Sequence, residues 1–359
     1  MGLQYAKLSP NHYVIDPNVT NDHSDETVKG SFAWVIANAG NGIHIQLLEG
    51  DYYFQGRVRL YEKSNISITG AGKFNSTFRM NRAASTAAML VISSSQDINI
   101  SNIWMMKDND NTSGNKLLYI DGNSDRITVY RNFFYNNDDG SVTVYSPGAS
   151  NIKIVDNIFW AADSNPGSYP YTYSYGVHIF QANGTIINRN KFVNAGLAGY
   201  LYIQDADNTI CNSNYFYSDD SQEKYYNTLY PYEPYFYRIK IYQADGLTFC
   251  HNSMWQGRAV PTDYWFSHVD QTTHMTWTGN NFRGYAAVSA YAGNGTKWEN
   301  CTRATFNSNI YNNSTYPVRV VSYEGNSQMS GTTLLAPNRY QTGSWGPTAS
   351  LLPHNYVGV

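Results

Sequence analysis

Hydrophobic and polar residues alternate in short runs along most of the chain, and small polar clusters separate these runs. Val177-His178-Ile179, Leu201-Tyr202-Ile203 and Ile239-Lys240-Ile241 are three such runs. Alternation with a period of two over three to five residues predicts a short β-strand with one buried face. Clusters rich in Asp, Asn and Gly between the runs predict tight turns. The pattern therefore predicts an all-β protein built from many short strands.

A repeated asparagine organises these strands into units. An Asn followed two positions later by an aromatic or large apolar residue occurs at Asn102, Asn132, Asn157, Asn190, Asn214, Asn252, Asn280 and Asn309. The intervals between them lie between 24 and 38 residues, whereas a β-propeller blade needs about 40 or more. A unit this short cannot bury its own apolar face, so neighbouring units must stack. We predict a single-stranded right-handed parallel β-helix in which the eight Asn side chains form one hydrogen-bonded column at a bend.

The start of the chain predicts a cap for this solenoid. Ser24-Asp25-Glu26-Thr27, followed by apolar residues from Val28 to Ile36, predicts an N-capped amphipathic helix that ends at Gly40 and covers the first rung. Alternating strands follow at Ile43-His44-Ile45-Gln46-Leu47 and at Ile66-Ser67-Ile68-Thr69, with a Gly-x-Gly turn after the second. This order of elements resembles the N-terminal part of the pectate-lyase-like superfamily.

The resemblance covers roughly residues 20 to 320 and implies the scaffold of polysaccharide lyases, glycosidases and viral tailspikes. Its motifs are specific for fold and say little about activity, because members share a scaffold rather than catalytic residues. Members displayed on virions are commonly trimers, so the resemblance also implies a possible homotrimer. We divide the chain into an N-terminal segment with its capping helix (1–42), a parallel β-helix (43–323) and a C-terminal cap or tail (324–359).

Composition narrows the class of partner. Only 14% of the 359 residues are charged, the net charge is −3, and 32 tyrosines bring the aromatic content to 15%. Such a surface gives no electrostatic case for nucleic acid or for an anionic membrane. Three scattered cysteines form neither a disulfide framework nor a zinc-site spacing. Neither nucleic acid nor a membrane is therefore an expected partner.

Two insertions, residues 160–175 and 217–237, enter the repeat at the same corner and are rich in tyrosine. Long insertions on one face of a solenoid commonly carry binding, and rigid amphipathic rings suit stacking on sugars. We predict that substrate is bound by Tyr171, Tyr173, Tyr175, Tyr200, Tyr230, Tyr232 and Tyr235.

Between these insertions, alternation places His178, Tyr202 and Lys240 outward on three successive rungs, about 4.8 Å apart. Tyr200 and Arg238 are expected beside this column. A cation, an imidazole and a phenol suit β-elimination on a uronic-acid glycan: the cation binds the carboxylate, and His or Tyr moves the protons. The alternative is that these are ordinary outward residues of a polar sheet.

Carboxylates offer a second chemistry at the turn after the same strands. Asp205, Asp207 and Asp245 could supply the acid and base of a glycosidase, or could hold calcium. Turn preference alone explains Asp207 and Asp245, whereas it explains Asp205 less well. No cofactor is otherwise predicted.

The sequence thus favours a protein, extracellular or on a virion surface, that binds and depolymerises a polysaccharide. Of the candidate residues, His178, Tyr202, Lys240, Arg238 and Asp205 are expected to be catalytic. The rival interpretations are a glycoside hydrolase on the same scaffold and a non-catalytic glycan-binding adhesin or virion structural protein.

Overall fold

The computed structural model describes residues 5–72, 75–80, 88–107, 116–135, 141–160, 175–193, 199–218, 238–256, 265–283, 294–299, 301, 305–307, 309–312, 316–321, 333–335 and 339–341. These residues form a parallel β-solenoid with one short α-helix near its N-terminal end. The predicted right-handed parallel β-helix is therefore confirmed.

The helical elements are a 3₁₀ turn at Pro17–Val19 and helix α1 at Phe32–Asn38. The first strands are β1 (Tyr5–Ser9), β2 (His12–Ile15), β3 (Ile43–Leu47), β4 (Gly50–Phe54), β5 (Val58–Tyr61), β6 (Ser64–Thr69), β7 (Ser76–Met80), β8 (Ala88–Ser93), β9 (Gln96–Ser101), β10 (Ile103–Lys107), β11 (Lys116–Asp121), β12 (Thr128–Tyr130), β13 (Phe133–Tyr135), β14 (Val142–Tyr145), β15 (Lys153–Val155), β16 (Ile158–Trp160) and β17 (Tyr175–Phe180).

The later strands are β18 (Ile186–Asn188), β19 (Lys191–Val193), β20 (Gly199–Gln204), β21 (Ile210–Asn212), β22 (Tyr215–Ser218), β23 (Ile239–Tyr242), β24 (Thr248–Cys250), β25 (Ser253–Gln256), β26 (Trp265–Asp270), β27 (Thr276–Thr278), β28 (Asn281–Arg283), β29 (Asn294–Glu299), β30 (Thr305–Asn307), β31 (Ile310–Asn312), β32 (Tyr316–Val321), β33 (Thr333–Leu335) and β34 (Arg339–Gln341).

Each coil contributes one strand to each of three sheets. Within the described residues, sheet 1 runs β1-β2-β3-β6-β9-β12-β15-β18-β21-β24-β27-β30-β33, sheet 2 runs from β4 and β7 to β31 and β34, and sheet 3 runs from β5 and β8 to β29 and β32. All pairings are parallel except β1 with β2, a hairpin that extends sheet 1 at the N-terminal end. Strands β33 and β34 add to sheets 1 and 2, so strand pairing continues beyond residue 323.

The core consists of the inward-facing residue of each short strand, stacked on its equivalents in the neighbouring coils. In sheet 2, Phe134, Phe159, Phe192 and Phe216 form one such stack, with ring centroids 4.7–5.0 Å apart and interplanar angles of 6–12°. In sheet 1, the rings of Phe249 and Trp277 stack at 4.0 Å. Offset stacking of buried rings adds to the gain from burying apolar area.

The asparagine column is present at the corner between sheets 1 and 2. From Asn157 onward, each Asn Oδ1 accepts hydrogen bonds from the backbone N–H and the Nδ2 of the preceding ladder Asn, at 2.9–3.2 Å. Each Nδ2 also donates to a backbone carbonyl of the preceding coil, as Asn190 does to Ile154 at 2.7 Å. This asparagine ladder comprises seven buried residues: Asn132, Asn157, Asn190, Asn214, Asn252, Asn280 and Asn309.

Asn102 was predicted to belong to this column, and that prediction is wrong. The register pairs Trp104 with Phe133, which aligns Ile103, not Asn102, with Asn132. The backbone N–H of Ile103 accordingly donates to Asn132 Oδ1 at 3.1 Å. Asn102 instead takes the preceding position, where it adopts a left-handed backbone with φ 58°, as Arg131 does with φ 54°. Asn tolerates this conformation better than most residues, which explains its presence there.

The N-terminal helix is shorter than predicted. Ser31, rather than the segment from Ser24 to Thr27, caps helix α1, and its Oγ accepts the N–H of Trp34 at 3.0 Å. The Asp25 carboxylate binds the N–H of Thr27 locally, and Gly30 has a φ of 91°, so the chain cannot be helical before Ser31. The buried side of α1 packs its Phe32 ring against the Phe78 ring at 5.1 Å, which anchors the helix to the core.

Candidate functional site

The predicted outward column lies on sheet 3. The register pairs His178 of β17 with Tyr202 of β20, and Tyr202 with Lys240 of β23. Val177, Leu201 and Ile239, one position earlier, are fully buried, as the alternation requires. Three consecutive rungs therefore present an imidazole, a phenol and an ammonium side by side. We call His178, Tyr202 and Lys240 the sheet-3 column.

The three side chains of the sheet-3 column contact one another. The rings of His178 and Tyr202 stack with centroids 4.7 Å apart and an interplanar angle of 8°. Lys240 Nζ lies 4.9 Å from the centroid of the Tyr202 ring, within range of a cation–π interaction. Tyr175, at the start of β17, packs its ring 5.1 Å from that of Tyr202. Tyr202 is only 7% exposed as a result, so its neighbours fix the orientation of its ring.

The protonation states of the column follow from this packing. Burial, together with the positive charges of Lys116 and Lys240, lowers the pKa of His178 to about 4. Burial also lowers the pKa of Lys240, whereas the carboxylate of Asp270 opposes that effect. At neutral pH, His178 is therefore an uncharged imidazole that can accept a proton. Its Nε2 is shielded from solvent and has no hydrogen-bond partner among the described residues.

His268 extends the sheet-3 column by one rung, and sequence reasoning missed it. The register pairs it with Lys240. The run Ser267-His268-Val269 has the same alternation as the runs around His178 and Lys240, so the signal for it was present in the sequence.

A pair of stacked rings lies beside the column at the next outward position of sheet 3. Tyr145 and Phe180 stack with centroids 4.5 Å apart, and Tyr145 is 47% exposed. The register places them on the rungs of Thr143 and His178. They form an aromatic surface alongside His178 and the rung that precedes it.

Two residues expected to point outward beside the column are interior, so their predicted placement is wrong. Tyr200 is fully buried, its ring packs near those of Phe192 and Phe216, and its hydroxyl donates to the Tyr217 carbonyl at 2.6 Å. Arg238 is 4% exposed, and its guanidinium carbon lies 5.6 Å from the centroid of the Tyr200 ring. Tyr200 turns inward because it lies at the corner where the chain joins sheet 2 to sheet 3.

Asp207 and Asp245, in the turn after the sheet-3 strands, hydrogen-bond mainly to turn residues of the next coil. Asp207 Oδ1 accepts the backbone N–H of Asp245 at 3.1 Å, and Asp245 Oδ1 accepts Thr273 Oγ1 at 2.6 Å and bonds to His274 Nδ1 at 2.7 Å. The bonds from Thr273 and His274 lower the pKa of Asp245. Asp205 occupies the left-handed corner with φ 49° and accepts only the amide of Gln204, at 3.2 Å, among the contacts described.

Metal binding was expected as a possibility near Asp205, Asp207 and Asp245. Across the part of the chain that the structure describes, no group of three or more His, Cys, Asp or Glu side chains is placed to hold a metal ion. The calcium expectation stays a prediction.

The predicted binding tyrosines divide into two groups. Tyr175 contacts the sheet-3 column, as described above. Tyr171, Tyr173, Tyr230, Tyr232 and Tyr235 lie outside the described residues. Their segments, 161–174 and 219–237, connect a strand of sheet 2 to the next strand of sheet 3, which is the corner at which the column begins.

No protein-family model matches the chain, and no curated protein matches it in sequence. Among solved structures, the chain is similar to tailspike protein 2 from Escherichia coli O157:H7 bacteriophage CAB120, with a TM-score of 0.59 and 12% identity over 93% of this chain. It is also similar to ORF18 of Geobacillus virus E2, with a TM-score of 0.51 and 13% identity over 86% of this chain. An alginate lyase from Paenibacillus sp. str. FPU-7 gives a TM-score of 0.54 and 16% identity over 87% of this chain and 98% of the lyase.

At these identities the similarity establishes the fold, as the resemblance to lyases and tailspikes implied. The chain spans 61% of the length of the Geobacillus virus protein and 42% of that of the tailspike. Within the described residues, no helix is long and apolar enough to cross a membrane.

Proposed function

We propose that the protein binds a uronic-acid-containing polysaccharide along the outer face of sheet 3 and cleaves it by β-elimination. The observation that carries this proposal is the sheet-3 column, in which an uncharged imidazole, a phenol and an ammonium lie on three successive rungs. Solved structures of the same fold include a tailspike and an alginate lyase, which supports a glycan as the ligand.

The column holds the groups that this reaction needs. Lys240 binds the C6 carboxylate of the sugar and stabilises the negative charge that develops when the C5 proton leaves. His178, uncharged at neutral pH, accepts that proton. The C4–O bond then breaks, a C4=C5 double bond forms, and the leaving oxygen takes a proton from the Tyr202 hydroxyl. The proton on His178 returns to the phenolate after product release.

Binding outside the reacting sugar falls to aromatic rings. Tyr145 and Phe180 present stacked rings next to His178, and sugars bind to such flat apolar surfaces while their hydroxyls stay in water. Five tyrosines outside the described residues are proposed to bind further sugars: Tyr171, Tyr173, Tyr230, Tyr232 and Tyr235. We also propose that the protein is displayed on a virion or secreted and assembles as a homotrimer.

The assay is an incubation with acidic and neutral polysaccharides, followed by absorbance at the unsaturated-uronate band and by reducing-end release. His178→Ala, Tyr202→Phe and Lys240→Ala are each expected to lower turnover by at least about a hundredfold, the usual scale for loss of a general acid or base. Lys153→Ala, an exposed lysine on sheet 1, is the matched control and is expected to leave turnover unchanged.

The readouts separate the alternatives. New absorbance together with new ends identifies a lyase, whereas new ends without absorbance identify a hydrolase. If Asp205→Asn abolishes cleavage while His178→Ala and Lys240→Ala do not, the elimination mechanism is refuted. Binding without cleavage of any polysaccharide favours the adhesin. Light scattering that gives a mass near 40.5 kDa, rather than three times that value, refutes the trimer.

A further inference from the structure

A second aromatic surface lies on the outer face of sheet 2, which the proposed function does not use. Alternation there turns one residue of each stacked aromatic strand inward and its neighbours outward. Six outward rings form what we call the sheet-2 stripe: Trp104, Phe133, Tyr135, Trp160, Tyr217 and Trp255. Trp160 is 46% exposed and Trp255 is 36% exposed, which is unusual for side chains of this size.

The stripe consists of two clusters. In the first, the ring of Phe133 lies 5.1 Å from that of Trp104 and 6.2 Å from that of Trp160. In the second, the rings of Tyr217 and Trp255 lie 4.9 Å apart. The register runs from Trp160 through Val193 and Tyr217 to Trp255, so the two tryptophans are three rungs apart, about 14 Å. A single sugar ring cannot touch both, whereas an extended oligosaccharide can.

Charge distinguishes this surface from the sheet-3 column. Between Trp104 and Trp255, Lys191 is the one charged residue at the outward positions of the described sheet-2 strands, and its Nζ lies 5.9 Å from the Tyr215 ring. Beyond Trp255, the guanidinium of Arg283 lies 5.4 Å from the Trp255 ring. The stripe therefore offers ring faces with few ionic partners, which suits a neutral ligand with apolar faces and a hydroxyl rim.

The exposed area argues against a second copy of the chain as the occupant. Taking about 200–250 Å² for a whole aromatic side chain, the six residues leave no more than about 570 Å² exposed. A stable protein interface needs about 800 Å² from each partner. The smaller area matches a few sugar rings, and two modest platforms joined by one chain bind far more tightly than either alone.

We propose that the sheet-2 stripe is a binding site for a neutral glycan chain, separate from the sheet-3 column and independent of the cleavage assigned to that column. Trp160 and Trp255 are its two anchors, because they expose the most ring surface and lie in different clusters.

The test uses an array of neutral and acidic glycans probed with the full chain. The double variant Trp160→Ala/Trp255→Ala is expected to lose at least tenfold in signal on the neutral glycans that the wild type binds. Tyr61→Ala removes a ring that is 49% exposed on sheet 3, and is the matched control expected to keep that signal. Lys240→Ala is also expected to keep it, so failure of the proposed cleavage and failure of the stripe give different results.

Three results would overturn the proposal. The first is that the wild type binds no neutral glycan on the array. The second is that the neutral signal survives in the double variant. The third is light scattering in which the wild type is an oligomer that the double variant dissociates, since the stripe is then a protein interface. Trp160→Gln, which keeps a long side chain at this exposed position, gives a second readout if the double variant does not fold.

Discussion

Replacing Asn190 by leucine perturbs the asparagine ladder at its centre. Asn190 Oδ1 accepts the backbone N–H of Asn157 at 2.9 Å and its Nδ2 at 3.1 Å, while Asn190 Nδ2 donates to the Ile154 carbonyl at 2.7 Å and to Asn214 Oδ1 at 3.0 Å. The side chain is 1% exposed, so water cannot replace these bonds. Leucine fills the space but offers neither a donor nor an acceptor.

The expected loss follows from the groups left without a partner. Asn157 N–H loses its acceptor, and an unsatisfied buried group costs about 1–3 kcal/mol. Ile154 C=O loses only a second donor, because it still pairs with β18 in sheet 1. We therefore expect Asn190→Leu to lower the free energy of unfolding by about 1–3 kcal/mol, measured from the urea midpoint. Hydrogen exchange adds a local readout, because the amide of Asn157 is expected to lose protection more than amides several coils away.

The control is Asn99→Leu, which makes the same change at an exposed outward position of β9. It is expected to shift the free energy of unfolding by no more than about 0.5 kcal/mol. If Asn190→Leu and Asn99→Leu have the same urea midpoint and the Asn157 amide stays protected, the ladder does not stabilise the fold in the way argued.

Three further predictions test other parts of the structure. Asn102→Gly is expected to leave the urea midpoint nearly unchanged, because glycine accepts the left-handed backbone, whereas Asn132→Leu is expected to lower it. A lowered midpoint for Asn102→Gly with an unchanged midpoint for Asn132→Leu would show that Asn102 belongs to the ladder. His178 has a pKa of about 4 in the folded protein, below its unfolded value of about 6.5. Between these values the unfolded chain binds a proton that the folded protein does not, so the free energy of unfolding is highest above pH 6.5 and falls as the pH drops towards 4. Between pH 7 and pH 4, the wild type is expected to lose on the order of 3 kcal/mol more than His178→Phe in urea titrations, and equal losses would contradict the assignment. Tyr200→Phe is expected to lower the free energy of unfolding by about 1–2 kcal/mol without changing glycan binding, and a binding defect at unchanged stability would contradict its interior position.

The fold was predictable from the sequence because each coil repeats the same pattern of short alternating strands and turns. Alternation located the strands, and the Asn-x-aromatic pattern located the corner between sheets 1 and 2. The pattern failed at Asn102 because the Asn-x-aromatic motif there lies one residue before the ladder position, which Ile103 occupies. Trp104 has the spacing of an inward aromatic, but Met105 fills the core at that rung and Trp104 turns outward. Only the pairing between coils decides between the two alignments.

The candidate site was predictable where alternation is regular and not where the chain bends. Alternation placed His178, Tyr202 and Lys240 correctly, since each lies within a strand between two buried residues. It failed for Tyr200, which precedes Leu201 at the start of β20, because both side chains turn inward there. The Tyr200 ring packs near Phe192 and Phe216 of sheet 2. These contacts come from other strands, so the local pattern around Tyr200 could not indicate them.

The asparagine ladder also has a consequence for how the chain reaches its native order. Every ladder rung presents the same amide to its neighbour, so a coil that docked one rung out of place would still find its hydrogen bonds. The information that rejects such a misplacement lies in positions that do not repeat. At the inward position of sheet 1, the side chains are Ile187, Cys211, Phe249 and Trp277 in successive coils, and their volumes differ widely. A shift by one coil would leave a void in one layer and a clash in the next, each of which costs about 1–3 kcal/mol or more. The repeated residues thus hold neighbouring coils together, and the residues that do not repeat determine the order in which the coils stack.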